Sequence, residues 1–203
     1  YDVTVALNGW QFDPGTRSIE VAGDKTDVDF VATALYGLTV SRALEMVAFP
    51  VNPRGVNLAA QVPQGAIEVW RWDPTRGTPD YVQGSETGTV PAQMRLEPGR
   101  SFFLKNTTGG AVNLAVAGDV VDGTLPFALQ VEQGWSMAGN MFAGALPWSN
   151  LGITPGEPVR DYGYIFDPVS QTYQLVTGTQ AGRDLTDVIG ATHTIPVNAG
   201  FWM

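Results

Sequence analysis

Trp70-Arg71-Trp72-Asp73-Pro74 and, 94 positions further on, Tyr164-Ile165-Phe166-Asp167-Pro168 are two versions of one phrase: aromatic residues at alternate positions, running into Asp-Pro. Alternate positions share one face of a pleated strand. Asp-Pro opens a turn, because the Asp side chain bonds the backbone ahead of it and Pro presets φ at the next position. The same period of two recurs in Val3 and Val5, in Ile19 and Val21, in Val28, Phe30 and Ala32, in Leu38 and Val40, in Ile67 and Val69, and in Val112, Leu114 and Val116. Such runs predict half-buried strands. The best helical spacing, over 40–48, has β-branched neighbours and is followed by Pro50, so it too predicts a strand. With 24 Gly and 14 Pro scattered between the runs as turn residues, the chain is expected to be all-β.

The repeated phrase belongs to a longer duplication. Upstream, Leu38-Thr39-Val40 matches Leu129-Gln130-Val131, and at the same spacing of 91 Leu44 and Met46 fall on Trp135 and Met137. Downstream, Leu96-Glu97-Pro98-Gly99-Arg100-Ser101-Phe102-Phe103-Leu104 aligns with Ile195-Pro196-Val197-Asn198-Ala199-Gly200-Phe201-Trp202-Met203 at a spacing of 99, the extra residues lying in a longer loop around 178–194. Gly99 and Asn198 each stand just before the closing aromatic strand, and both residue types suit a positive φ there.

The 203 residues suffice for one large β domain or two to three small ones. Hydrophobic residues make up 44%, including six Trp, nine Phe and six Tyr, so core material is present. Charged residues are only 15%, Lys25 and Lys105 are the only lysines, and the formal net charge is -9. That balance repels a phosphate backbone and offers no dense Lys/Arg cluster, so neither nucleic acid nor an anionic membrane surface is an expected partner. No stretch approaches the roughly 18 apolar residues of a membrane span, so membrane insertion is not expected. Cysteine is absent, which removes disulfides, zinc-thiolate sites and thiol nucleophiles and is compatible with export in bacteria. Tyr1-Asp2-Val3-Thr4-Val5 lacks the basic head and apolar stretch of a signal peptide, so an exported protein is expected to have shed its leader already.

Two resemblances follow from quotable residues. Gly134-Trp135-Ser136-Met137-Ala138-Gly139-Asn140, then Trp148, then Tyr164 to Pro168 with Thr172-Tyr173, and finally Ile195-Pro196 to Gly200-Phe201-Trp202, resemble β-rich repeats of secreted bacterial multidomain proteins, which read GWN-x-x-GNP, aromatic-D-P and PGxGFW. The chain departs from that pattern at Ser136 and Met141, and the first copy has Leu44-Glu45-Met46 in place of Gly-Trp-Asn. The resemblance spans 38–203 and implies architecture rather than activity. Gly9-Trp10-Gln11-Phe12-Asp13-Pro14, Ser18-Ile19-Glu20-Val21 and Asp27-Val28-Asp29-Phe30-Val31-Ala32 are similar to the closing strands of carboxypeptidase-regulatory-like immunoglobulin sandwiches. A second reading of this segment stays open, because Val21-Ala22-Gly23-Asp24 recurs as Val116-Ala117-Gly118-Asp119. The expected organisation is a partial immunoglobulin-like segment at 1–36, then tandem β-sandwich-like units at 37–127 and 128–203.

Candidate chemistry is sparse. Gly134-Trp135-Ser136-Met137-Ala138 imitates the G-x-S-x-G nucleophile elbow, with His193 downstream, but no helix pattern follows Ser136 and its counterpart in the first copy is Glu45. Carboxylate pairs such as Glu157 with Asp161, or Asp184 with Asp187, sit in no distinctive frame. Asp24, Asp27 and Asp29 lack the spacing and internal Gly of a calcium loop and read as a solvated strand end, so no metal site is assigned. The chain is expected to be non-catalytic and to need no cofactor. Trp70, Trp72, Trp148 and Trp202 are the candidate carbohydrate platforms, the first three singled out as site residues; the competing reading is that such rings form core.

The segment 1–36 lacks the opening strands of its sandwich, and the second copy stops at Phe201-Trp202-Met203 where the first continues through Asn113-Leu114-Ala115-Val116. Unpaired edges are therefore expected at both ends, with Tyr1, Val3 and Val5 at one and Phe201, Trp202 and Met203 at the other as candidate assembly residues. Either neighbouring subunits complete one another by strand addition, or the sequence is a piece of a longer polypeptide. The expected function is a structural or adhesive module, extracellular or at the cell surface. It would self-associate through exposed edges into a filament or array, with a surface glycan as a further partner. The alternative is a carbohydrate-binding or spacer module of a larger secreted hydrolase.

Overall fold

A computed structural model of the chain describes residues 2–7, 10–13, 15–18, 29–52, 58–60, 62–63, 65–74, 80–84, 97–121, 123, 127–129, 131, 134–151, 162–177 and 192–203. Among them the strands are β1 (Asp2–Thr4), β2 (Trp10–Asp13), β3 (Thr16–Ser18), β4 (Val31–Val40), β5 (Leu44–Ala48), β6 (Val51–Asn52), β7 (Ile67–Asp73), β8 (Asp80–Gln83), β9 (Ser101–Asn106), β10 (Val112–Val120), β11 (Met137–Gly139), β12 (Leu146–Pro147), β13 (Tyr162–Asp167), β14 (Thr172–Thr177), β15 (Thr194–Ile195) and β16 (Gly200–Trp202). Short 3-10 turns occupy Leu58–Ala60 and Trp148–Asn150. The fold is all-β, and no helix among the described residues is long and apolar enough to cross a membrane.

Three four-stranded sheets run β2-β4-β10-β6, β5-β9-β7-β8 and β11-β16-β13-β14. The second and third have one topology, first strand beside last, then the two middle strands, and their registers coincide residue for residue. Met46 faces Phe103 as Met137 faces Trp202, Trp70 faces Phe103 as Tyr164 faces Trp202, and Trp72 faces Tyr81 as Phe166 faces Tyr173. The duplicated phrase is thus the same strand twice, its aromatics on the same face each time.

Strand alternation explains the layering. In β9, Phe102 and Leu104 join Val47, Phe49, Val69, Leu114 and Val116 in a core between the first two sheets, while Phe103 points the other way. Phe103, Met46, Met137, Phe166 and Trp202 form the seam between the second and third sheets. On the far side of the third sheet, Ala138, Ile165, Val176 and Phe201 pack beneath Trp148 and Ile195. A strand buried on both faces must be apolar at consecutive positions, which is why Ser101-Phe102-Phe103-Leu104 does not alternate. Asn140, wholly buried, holds this outer layer: its Nδ2 donates to the carbonyls of Gly144 (2.8 Å), Pro196 (3.0 Å) and Ile195 (3.2 Å), and its Oδ1 accepts from the Phe142 N–H (3.0 Å).

The two duplicated sheets meet about a local two-fold axis. The Ala48 N–H donates to the Asn198 carbonyl at 2.8 Å, and in the mirrored position the Gly139 N–H donates to the Gly99 carbonyl, also at 2.8 Å. Antiparallel bridges join Val47 to Ala199 and Ala138 to Arg100, again an exchanged pair. Gly99 (φ 76°) and Asn198 (φ 62°) both adopt the left-handed conformation that aims these carbonyls across the seam. Small residues make the approach possible. A Cβ on Gly139 would collide with the Ala48 methyl, and one on Gly200 would lie 2.6 Å from the Ser101 Cβ.

Two expectations are revised. The boundary drawn between 36 and 37 falls inside β4, whose residues 34–40 pair with β10 while residues 31–34 pair with β2, so β2 and the start of β4 are continuous with the first unit's outer sheet, while β1 and β3 form a ribbon of their own. Phe201 and Trp202 do not lie on an open edge: β16 is interior, paired with β11 on one side and β13 on the other, and Met203 exchanges backbone hydrogen bonds with Ser136. A late position in the chain does not make an edge strand, because this strand is inserted between two earlier ones. At the other end, exposed Val3 lies in β1, which pairs with β3, and the half-buried Val5 donates its N–H to Gly15 (3.3 Å). Tyr1 lies outside the described residues, as do Asp24, Asp27 and the Val21–Asp24 recurrence.

Candidate functional site

Cross-strand neighbours on one face of a sheet bring their side chains together, and here the two duplicated sheets turn their aromatic faces toward each other. The result is a cleft of about 310 Å³ lined by Trp72, Tyr81, Trp135, Tyr164, Tyr173 and Trp202. Five of these rings project from strands, and Trp135 stands two residues ahead of β11. Trp72 is edge-on to Tyr81 (5.3 Å between centroids) and to Trp202 (5.7 Å), with Trp202 buried among them. Trp135 leans on Tyr164 at 5.7 Å with 48° between the planes. Trp135 and Tyr173, 40% and 48% exposed, are the solvent-facing lips. Edge-to-face contacts of this kind contribute about 0.5–1.5 kcal/mol each beyond burial, so the rings are held rather than loose.

The walls are almost wholly apolar, and no charged side chain lines them. Burial lifts the Tyr81 phenol well above the ordinary tyrosine range, and the nearby Tyr173, hydrogen-bonded to it, adds to the effect. The Trp72 indole N–H is enclosed, with no hydrogen-bond acceptor among the described residues. The polar atoms of the inner wall are therefore either paired with each other or sealed from the opening.

Across the local axis the corresponding positions carry a different set of side chains. In the mirrored position Leu44 stands for Trp135, Phe103 for Trp202, Phe166 for Trp72 and Trp70 for Tyr164, while Tyr81 and Tyr173 exchange places. Leucine in place of the tryptophan lip removes the outer wall. Comparison with protein-family models, with curated proteins and with solved structures finds no match. The reading of the cleft rests on its own chemistry.

Of the tryptophans considered for sugar stacking, Trp72 and Trp202 line the cleft. Trp70 is half-buried at the seam outside it, with its indole N–H donated to Glu68 (3.2 Å), a carboxylate also bonded by Lys105 (3.0 Å) and held below the usual carboxylate range mainly by that lysine. Trp148 is core: it is 4% exposed, edge-on to Phe201 at 5.8 Å, and packed over Gly163, so it turns no face to solvent. Trp202, placed among the assembly residues, is the cleft's inner wall. Ser136 precedes a strand rather than a helix, and His193 bonds through Nδ1 to the Thr177 carbonyl (2.8 Å). Among the described residues no group of three or more His, Asp or Glu could hold a metal ion. Glu157, Asp161, Asp184 and Asp187 lie outside them.

Sequence reasoning missed Tyr81, Trp135, Tyr164 and Tyr173 as lining residues. A signal existed. The duplication that superposes Trp72 on Phe166 also superposes Tyr81 on Tyr173, so the second and third strands of both copies carry rings on one face.

Proposed function

We propose that the chain is a non-catalytic extracellular module of structural or adhesive type, and that its docking element is the aromatic cleft at the seam, with a surface glycan as the class of partner. The observation that carries this reading is that six rings from two duplicated sheets converge on an open cleft whose outer lips, Trp135 and Tyr173, remain exposed. Large apolar surface left open on strands that could have buried it marks a binding face. At the low end of the roughly 300–1,000 Å³ of ligand sites, the cleft suits one small group of a larger partner.

Affinity electrophoresis of the intact chain through soluble polysaccharides tests the proposal. Retardation by at least one polymer is expected, and Trp135→Ala should weaken it about tenfold, ~1.4 kcal/mol, while lowering Tm by only a few degrees, since the ring is half in solvent and gives up its contacts with Tyr162 and Tyr164. Equal retardation of both proteins would remove the cleft from the account. Of the two chain ends expected to be open, the N-terminal ribbon keeps an edge, since among the described residues β1 is paired on one side. Sedimentation should then show oligomers that Val3→Lys disperses; a monomer at every concentration leaves the cleft as the whole proposal.

A further inference from the structure

We infer that the cleft receives a quaternary ammonium head group, a trimethylammonium in the simplest case. The inference rests on the reading of the cleft as a binding site and names the group it selects. Four observations lead to it. Six aromatic rings line the cleft, and the negative face of an aromatic quadrupole attracts a cation. Its walls carry almost no polar surface, the Tyr81 hydroxyl is bonded to that of Tyr173, and the Trp72 N–H is enclosed, so an occupant finds few hydrogen-bond partners. No cationic side chain lines the cleft to repel a positive ligand. The chain as a whole carries a formal charge of -9, which raises the local concentration of cations.

These features separate the candidates. A sugar ring can stack on Trp135 at the mouth but finds few partners for its hydroxyls against the inner wall, so the sugar is the outer part of the partner and not the group that enters. A lysine ammonium or an arginine guanidinium brings three or five N–H donors that the wall cannot accept. A quaternary ammonium brings a full positive charge, a methyl surface and no donors, which suits an apolar aromatic wall. A surface polymer bearing such groups would satisfy both this inference and the adhesive reading.

The test is tryptophan fluorescence of the intact chain titrated with choline, with 3,3-dimethylbutan-1-ol as its uncharged isostere, with glucose and cello-oligosaccharides, and with potassium chloride at matched ionic strength. Saturable quenching by choline in the millimolar range is expected, at least fivefold tighter than the isostere. Trp135→Ala should weaken it tenfold or more, while Trp135→Phe, which keeps a ring, should retain most of it; near-UV circular dichroism verifies that both variants fold. Isostere binding as tight as choline, or an equal response to potassium chloride, overturns the inference. Saccharide binding without choline binding overturns it and leaves the glycan reading intact, whereas no response to either class overturns both. Co-sedimentation with phosphatidylcholine vesicles would assign the head group to a lipid, and choline binding without it to a soluble or polymer-borne group; either outcome supports the inference.

Discussion

Alanine at Gly139 is expected to destabilise the protein by about 2–3 kcal/mol, and glycine at Ala48 in the same chain is expected to restore most of the loss. The added methyl collides with that of Ala48 at the local two-fold axis, where β11 and β5 approach most closely. Overpacking of this kind costs typically 1–3 kcal/mol, and for a chain of this length each kcal/mol lowers Tm by roughly 2–4 °C. The double variant Ala48→Gly/Gly139→Ala is the two-fold image of the wild type at this pair: one methyl remains, contributed by the other unit. Denaturant unfolding of the four proteins gives the coupling directly. A double variant as unstable as Gly139→Ala alone would mean that the two backbones do not meet in the way described.

Aspartate at Asn140 should do more damage still. The wild-type amide shares its two N–H groups among three carbonyls, from Gly144, Ile195 and Pro196, in a site with no solvent exposure. A carboxylate there faces three acceptors with nothing to donate, and an uncompensated buried charge costs about 3–5 kcal/mol. The pH dependence has a definite sign. Burial and the surrounding carbonyls raise the folded pKa of the introduced acid above its unfolded value of about 3.9. Below that value both states are protonated and the penalty is smallest. As pH rises, the unfolded chain ionises first and stability falls. Thermal unfolding of Asn140→Asp between pH 3 and 8 should therefore show its deficit relative to the wild type widening with pH; a constant deficit would mean that the site is open to water. Asn140→Ala, which only removes the bonds, should lose about 2–3 kcal/mol at every pH.

Much of the scaffold was legible because it is local. Alternation at Ile67 to Trp72 and at Val112 to Val116 marks strands directly, and the spacing of the copies predicted the shared topology and the turns at Gly99 and Asn198. What was not legible is what covers each face. Period two places Trp70 and Trp72 on one side of a strand but does not say that the opposing surface is the chain's own second copy. The pairing of β4 with β10 joins residues 72 to 84 positions apart, which hid the continuity across residue 36. Trp148 was misplaced because it stands in a 3-10 turn, where strand alternation carries no information, and its partner Gly163 marks the packing site only by lacking a side chain. The cleft was missed for a related reason. Its walls belong to both copies, Trp72 and Tyr81 to the first and the other four rings to the second, and no single stretch of sequence contains it.

The reciprocal backbone bonds from Ala48 to Asn198 and from Gly139 to Gly99 tie each unit's first strand to the other's closing turn. Neither half can therefore open without exposing main-chain groups of its twin, so heat or traction should meet a single latch instead of two beads on a string. A ligand gripped between the halves would tighten that latch, and grip and resistance to load would rise together.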